Sequence, residues 1–148
     1  QGPRSIRFAD FHRVPGDEPH IDTTLRHGEI ITSIDLPPLG FAQHYAYLKV
    51  RDRASYAFAL VSVAAALEID GSTIREARIA LGGVAHKPWR AKEAEKFLIG
   101  KEATEANFKA AAEAEMKAAK PLEHNKFKVE LGKRAIARAL MMAMNGKV

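Results

Sequence analysis

Residues 47–67 read YLKVRDRASYAFALVSVAAAL, a charged and aromatic segment that runs directly into an apolar one. The alanines of the second half favour helix, whereas its valines favour strand. Two features favour the strand. The first is a period of two, carried by Val61, Val63, Ala65, Leu67 and Ile69. The second is the sequence Asp70-Gly71-Ser72, which has the composition of a hairpin turn. The segment therefore predicts a core strand that ends in a hairpin.

Neighbouring segments show the same period. Residues 44–51 alternate between an apolar face and a face that carries Tyr45, Tyr47, Lys49 and Arg51. Residues 74–84 form the returning arm of the hairpin and reach the pair Gly82-Gly83, which would let another backbone approach closely. Residues 29–37 predict a further strand, because Ile30, Thr32, Ile34 and Leu36 alternate there.

From Pro88 onward the pattern is helical. Pro88 suits a first helical turn, and Gly100 suits the end of that helix. A second helix is predicted from the N-cap Thr104 to Pro121. A third is predicted from about Asn125, with His124-Asn125 as a capping pair, to Met144.

Strands followed by helices indicate an α+β fold. We expect a three- to four-stranded antiparallel sheet followed by three helices packed on one face. Prolines interrupt residues 1–28, which predicts an irregular linker ahead of a domain spanning 29–148.

Composition limits the chemistry that this chain can perform. Its 148 residues suit one domain, and it contains no cysteine. Disulfides, a cysteine nucleophile and an iron–sulfur cluster held by thiolates of this chain are therefore excluded. No phosphate-binding glycine motif, helical histidine pair or G-x-S-x-G sequence occurs. The net charge of +5 favours an anionic partner, which could be nucleic acid, a cofactor phosphate or an acidic protein.

The cationic and aromatic strand face is the remaining candidate site. Lys49 and Arg51 could bind a phosphate, and Tyr45 and Tyr47 could contact a planar ring. A solvated strand face with ordinary salt bridges explains the same pattern.

Three segments, taken together, carry a family resemblance. They are KVRDRASYA (residues 49–57), RIALGGVAHKPWRA (residues 78–91) and HNKFK (residues 124–128). They resemble the C-terminal domain of the FAD-binding (medium, subunit M) subunit of molybdenum hydroxylases. This family includes xanthine dehydrogenase, carbon monoxide dehydrogenase and aldehyde oxidoreductase. The segment that leads out of the flavin domain of that subunit is resembled by residues 11–12 with 15–17, and by residues 28–32 with 36–37.

The resemblance implies a role in an oxidoreductase complex. A molybdopterin subunit would oxidise an aldehyde or heterocycle, and electrons would pass through the [2Fe–2S] clusters of a third subunit to FAD. This chain would help to cover FAD and to dock those partner subunits. The glycine-rich FAD loops of the family are absent here, so residues 1–28 are expected to be a linker from an absent FAD-binding domain. The isolated fragment is expected to be inactive, and the complex is expected to be cytoplasmic, or periplasmic if a partner's signal exports it.

The resemblance also implies the site residues. Lys49 matches a lysine of the family, and Tyr56 matches a tyrosine that some members carry. Arg51 is added because it shares the strand face of Lys49. Lys49 and Arg51 would stabilise negative charge on reduced flavin or its phosphates, and Tyr56 would pack near the ring. No catalytic residue and no metal ligand is expected in this chain.

Two other classes of function remain open. One is a small basic α+β module that binds RNA through Tyr45, Tyr47 and the neighbouring cations. The other is a purely structural assembly domain, in which helix cations meet an acidic partner subunit. Those cations are Lys126, Lys128, Lys133 and Arg134.

Overall fold

The computed structural model describes residues 2–38 and 40–146. Four antiparallel strands pair in chain order. They are β1 (Tyr45–Val50), β2 (Val61–Asp70), β3 (Thr73–Gly82) and β4 (Trp89–Arg90). A short helix α1 precedes them and three helices follow: α1 (Phe8–Phe11), α2 (Lys92–Leu98), α3 (Glu105–Met116) and α4 (Phe127–Met144). This arrangement confirms the predicted α+β fold.

The β2–β3 hairpin is the centre of the sheet. Asp70 pairs with Thr73, so only two residues form the turn. The first of them, Gly71, has φ +61°, which a tight hairpin turn requires and glycine adopts readily. The strand prediction for residues 61–69 is therefore confirmed, and the helix that alanine favours is not formed. Local propensity is outweighed because alternation allows one face of β2 to be buried.

One face of the sheet packs against the helices. Helix α4 contacts β1 and β2, and α2 contacts β3. The largest fully buried side chains come from β2, β3 and the helices: Phe108, Leu67, Ile74, Ile79, Leu81, Leu98, Ile136, Leu140, Val61 and Val63. The other face of the sheet is not covered by a helix, and Tyr45, Tyr47 and Lys49 are exposed on it.

The strand predicted at residues 29–37 is wrong. Residues 29–38 form neither helix nor strand, and Ile30 is 84% exposed. The alternation there describes a two-faced strand, but a strand also needs a neighbour for its backbone hydrogen bonds and an apolar layer to cover. Within the described residues, this segment has neither.

Three helix boundaries also differ from prediction. The residues after Pro88 pair as β4 with Ala80 and Leu81, so α2 begins only at Lys92. Helix α3 ends at Met116, before Pro121. At α4 the predicted capping pair does not act as a cap, because the Asn125 side chain accepts from the backbone N–H of Leu122 in the preceding turn.

The cap predicted for α3 is confirmed. The Thr104 hydroxyl accepts from the backbone N–H of Asn107 at 3.3 Å. One of the otherwise unpaired N–H groups at this helix end is thereby satisfied.

A buried carboxylate joins β4, α2 and α3. Glu115 of α3 is 9% exposed and accepts from Trp89 Nε1 at 2.8 Å. Its other oxygen accepts from the backbone N–H groups of Glu93 and Ala94 at 3.0 and 3.1 Å. Helix α2 lacks a side-chain cap of its own, so Glu115 provides one from outside and places a negative charge at its N-terminus.

Residues 2–29 fold back on themselves. Arg4 forms a salt bridge with Glu29 at 2.6 Å, and His12 and Thr23 form an isolated antiparallel bridge. The hydrogen bond from Arg4, followed by that from the backbone N–H of Arg26, lowers the pKa of Glu29 to about 2. Lys87 Nζ also donates to the carbonyl of Ala9 at 3.3 Å, which ties this segment to the body.

We predict that Glu115→Ala lowers the free energy of unfolding by about 3 kcal/mol, because three buried or half-buried donors lose a charged acceptor. Urea denaturation followed by the fluorescence of Trp89, the only tryptophan, measures this. The control is Glu113→Ala on the same helix, which removes an ion pair between the exposed Glu113 and the half-buried Lys133. Equal losses in the two variants would contradict the proposed role of Glu115.

We predict that the Glu29 carboxylate titrates at about pH 2 in the folded chain. Its pKa is depressed, so the Arg4–Glu29 contact stabilises the segment above the ordinary value of 4.5 and is lost as the pH falls towards 2. Carboxyl NMR chemical shifts measure the midpoint. Arg4→Met should move the midpoint of Glu29 back towards the ordinary value. An unchanged midpoint in that variant would exclude Arg4 as the main cause.

Candidate functional site

Three segments meet at one end of the sheet. They are the loop 51–60 between β1 and β2, the loop 83–88 between β3 and β4, and the start of α4. Gly83 lies against the first loop, since a Cβ built on it would be 2.8 Å from the carbonyl oxygen of Leu60. Lys128 of α4 donates to the carbonyl oxygen of Gly83 at 3.0 Å. The three sequence segments that carry the family resemblance are therefore neighbours in the fold.

Lys49 lies on the uncovered face of the sheet near this end. It is exposed and pairs in register with Ser62 of β2, which in turn pairs with Gly82 of β3. Ser62 is 8% exposed, and a Cβ on Gly82 would lie only 2.5 Å from its hydroxyl oxygen. Gly82 thus leaves space for a hydroxyl in the same row as Lys49. Ser62 was not predicted from the sequence as a site residue, because a lone serine in an apolar strand belongs to no motif.

Arg51 follows the last residue of β1, Val50, and is exposed at the start of the loop. Within residues 2–38 and 40–146, neither Lys49 nor Arg51 forms a salt bridge with a carboxylate. The ordinary salt bridges that would explain these cations as a solvated strand face are therefore not formed in the described part of the chain.

Tyr56 occupies the same loop in an unusual conformation. Its φ is +50°, and its side chain is 95% exposed. A left-handed conformation costs a residue other than glycine about 1 kcal/mol, and an exposed side chain regains little of that cost through packing. Two positions later, Phe58 is 98% exposed. The loop therefore exposes two aromatic side chains to solvent. Only Tyr56 was predicted from the sequence as a site residue.

The middle of the uncovered face is different. Tyr45, Tyr47, Arg78 and Arg90 surround a shallow depression floored by alanines of β2 and β3. Both arginines already have partners, since Arg78 pairs with Glu76 and Arg90 pairs with Glu95. Arg78 also lies 6.0 Å from the centre of the Phe41 ring. The cations of this region are therefore less available to an anionic ligand than those at the loop end.

Among the residues that the structure describes, no group of three histidine, aspartate or glutamate side chains could hold a metal ion. No described helix is both long enough and apolar enough to cross a bilayer.

The segments 49–57, 78–91 and 124–128 all lie within a region that matches one known protein family. Residues 45–144 match the family model of the CO dehydrogenase flavoprotein C-terminal domain. The aldehyde oxidoreductase FAD-binding subunit PaoB of Escherichia coli K12 is 48% identical over 140 residues, which cover 95% of this chain and 41% of that protein. The glyceraldehyde dehydrogenase medium chain of Sulfolobus acidocaldarius is 40% identical over 100 residues, which cover 68% and 33%.

A solved structure shows the same architecture. The carbon monoxide dehydrogenase of Hydrogenophaga pseudoflava, in a form that lacks the Mo-pyranopterin moiety, aligns with a TM-score of 0.76 and 28% identity. The alignment covers 85% of this chain and 45% of that one. The chain therefore spans less than half of the length of the proteins that it matches here.

We predict that Tyr56→Gly raises the free energy of unfolding by about 1 kcal/mol, because glycine relieves the left-handed strain. Denaturation in urea measures the change. Phe58→Gly is the matched control, since Phe58 is equally exposed but does not have a positive φ. If Tyr56→Gly were the more destabilising of the two, Tyr56 would instead be held by contacts within the chain.

Proposed function

Because the chain belongs to the CO dehydrogenase flavoprotein C-terminal domain family, we propose that it is the C-terminal part of the FAD-binding subunit of a molybdopterin-dependent oxidoreductase. The complex would be of the aldehyde or xanthine dehydrogenase type. In it, this domain covers one side of the FAD and docks partner subunits. The observation that carries the proposal is made at the loop end of the sheet. Lys49 and Arg51 have no carboxylate partner among the described residues, and the loop that begins at Arg51 also carries the exposed, strained Tyr56.

The residues at this end suit a flavin. Lys49 and Arg51 lack carboxylate partners within the described residues, so their charge is available to an anionic group. FAD supplies a diphosphate and, when reduced, a negatively charged ring, and it carries the redox chemistry itself. In our proposal Lys49 and Arg51 stabilise that charge by electrostatic attraction, and Tyr56 packs its ring near the flavin. No residue of this chain transfers a proton or attacks a substrate.

The partners follow from the same proposal. An iron–sulfur subunit delivers electrons to the FAD, and a molybdopterin subunit oxidises the substrate. In this proposal molybdopterin and the [2Fe–2S] clusters belong to those subunits. For the clusters, this agrees with the absence of cysteine from this chain. The substrate is set by the molybdopterin subunit. The cytoplasm is the proposed compartment, with the periplasm as the alternative if a partner carries an export signal.

The two alternative functions receive less support. RNA binding would use the exposed Tyr45 and Tyr47 with the same cations, Lys49 and Arg51, so the geometry of the site does not separate it from FAD binding. The family of the chain favours the flavoprotein instead. For docking of an acidic partner, three of the four helix cations are engaged: Lys128 with Gly83, Lys133 with Glu113 and Arg134 with Glu130. Docking of partner subunits therefore remains part of the proposal, without a specific role for these cations.

The first test examines the gene and the cofactor. The residues encoded upstream of Arg4 should contain glycine-rich flavin loops, and the complete polypeptide should purify with flavin absorption. This 148-residue chain titrated with FAD should bind it weakly. A complete polypeptide that neither contains such loops nor binds FAD would exclude the proposed function.

We predict that Lys49→Ala in the complete polypeptide weakens FAD binding by roughly three- to ten-fold and slows flavin reduction, because a charge-assisted contact is lost. Equilibrium titration and stopped-flow flavin absorbance measure the two effects. Lys96→Ala, which removes an exposed lysine of α2, is the control and should change neither. FAD bound with normal affinity and reduced and reoxidised at normal rates in Lys49→Ala would remove Lys49 from the site.

A further inference from the structure

Lys128 is placed where helix stability alone does not favour a cation. It is the second residue of α4, and the N-cap Lys126 provides no side-chain hydrogen bond there. The N-terminus of a helix carries a partial positive charge, so a lysine in the first turn is electrostatically unfavourable. The Lys128 side chain instead crosses to the β3–β4 loop, where Nζ donates to the carbonyl oxygen of Gly83 at 3.0 Å.

Gly83 is in turn packed against the base of the loop that carries Tyr56. It has φ +75°, and a Cβ on it would lie 2.8 Å from the carbonyl oxygen of Leu60 and 3.2 Å from that of Ala59. At the same place the backbone N–H of Leu60 donates to the carbonyl of Val50 at 2.8 Å, which closes the loop. Gly83 therefore lies directly against the backbone that closes the loop from which Tyr56 and Phe58 extend.

We propose that Lys128 is a positioning residue for Tyr56. Through Gly83, it fixes the loop 51–60 against α4. The exposed aromatic side chains of the loop, which do not pack against the rest of the domain, are thereby held in a defined place. This proposal rests on the proposed function, because the FAD of that function is the ligand that the loop would contact. The sequence places Lys128 among the helix cations, but only the fold brings it to Gly83.

Limited trypsin digestion tests the contact without a cofactor. Arg51 and Arg53 are exposed cleavage sites within the loop. Lys128→Met in this chain should raise the cleavage rate after these two residues by roughly three- to ten-fold, since one charged hydrogen bond holds the loop base. Mass spectrometry of the fragments separates these cuts from others. Lys126→Met, which removes an exposed lysine two positions earlier, is the matched control and should leave the rate unchanged.

Conservative rescue separates positioning from a general loss of stability. Lys128→Arg retains a donor of similar reach and should restore slow cleavage. Gly83→Ala, which forces a Cβ towards Leu60, should speed cleavage of the loop by another route. The proposal is overturned if Lys128→Met and Lys126→Met are cleaved at the same rate, or if Lys128→Arg is cleaved as fast as Lys128→Met.

A second measurement connects the loop to the flavin. In the complete polypeptide, Lys128→Met should accelerate FAD dissociation several-fold, and it should have little further effect when Tyr56 is already alanine. Additive effects of the two substitutions would overturn the link between Lys128 and Tyr56. If neither the variants nor the unaltered polypeptide bound FAD, the proposed function would be wrong. A difference in cleavage rate between Lys128→Met and Lys126→Met would still support the positioning of the loop by Lys128.

Discussion

The burial of one face of β2 against the helices is the constraint on which the rest of the structure depends. Val61, Val63 and Leu67 face α4 and are almost fully buried. Each such side chain contributes about 1.5–3 kcal/mol by leaving water. The period of two then requires the intervening residues to face away from the helices. Lys49 reaches the uncovered face for this reason, since its strand pairs with β2 in register.

The same strand register determines which loops lie together at the end of the sheet. Because β1 and β3 both flank β2, the exit of β1 and the exit of β3 lie at the same end. Gly83 at the exit of β3 allows the two loops to approach closely, since a Cβ there would lie 2.8 Å from the carbonyl oxygen of Leu60. The helix layer reaches this end through Lys128. A site at this end of the sheet is therefore supported by three parts of the fold: the β2–β3 hairpin, the loop 51–60 and helix α4.

Much of this architecture could be predicted from the sequence, because it depends on local pattern. The alternation in residues 61–69, the turn at Gly71 and the N-cap Thr104 each specify their own structure within a few residues. The strand expected at residues 29–37 was wrong because alternation is necessary for a strand but does not supply a neighbour. The Lys128–Gly83 contact was not predictable in the same way, since the two residues are 45 positions apart and meet only through the packing of α4 on the sheet. The placement of Lys49 and Tyr56 in a flavin site came from the family resemblance and remains a proposal.

The centre and the loop end of the uncovered face differ in whether their cations are paired with carboxylates. At the centre, Arg78 and Arg90 are paired with carboxylates of their own chain, so the fold has neutralised them. At the loop end, Lys49 and Arg51 have no such partner among the described residues, and Tyr56 accepts backbone strain without gaining burial. The left-handed conformation of Tyr56 reduces folding stability and is not offset by burial of its side chain. The charges of Lys49 and Arg51 are exposed and accessible to an anionic ligand. A ligand that is anionic and planar would contact the cations and the tyrosine at once, which is why the loop end, and not the alanine-floored depression, is the place where we expect the flavin to lie.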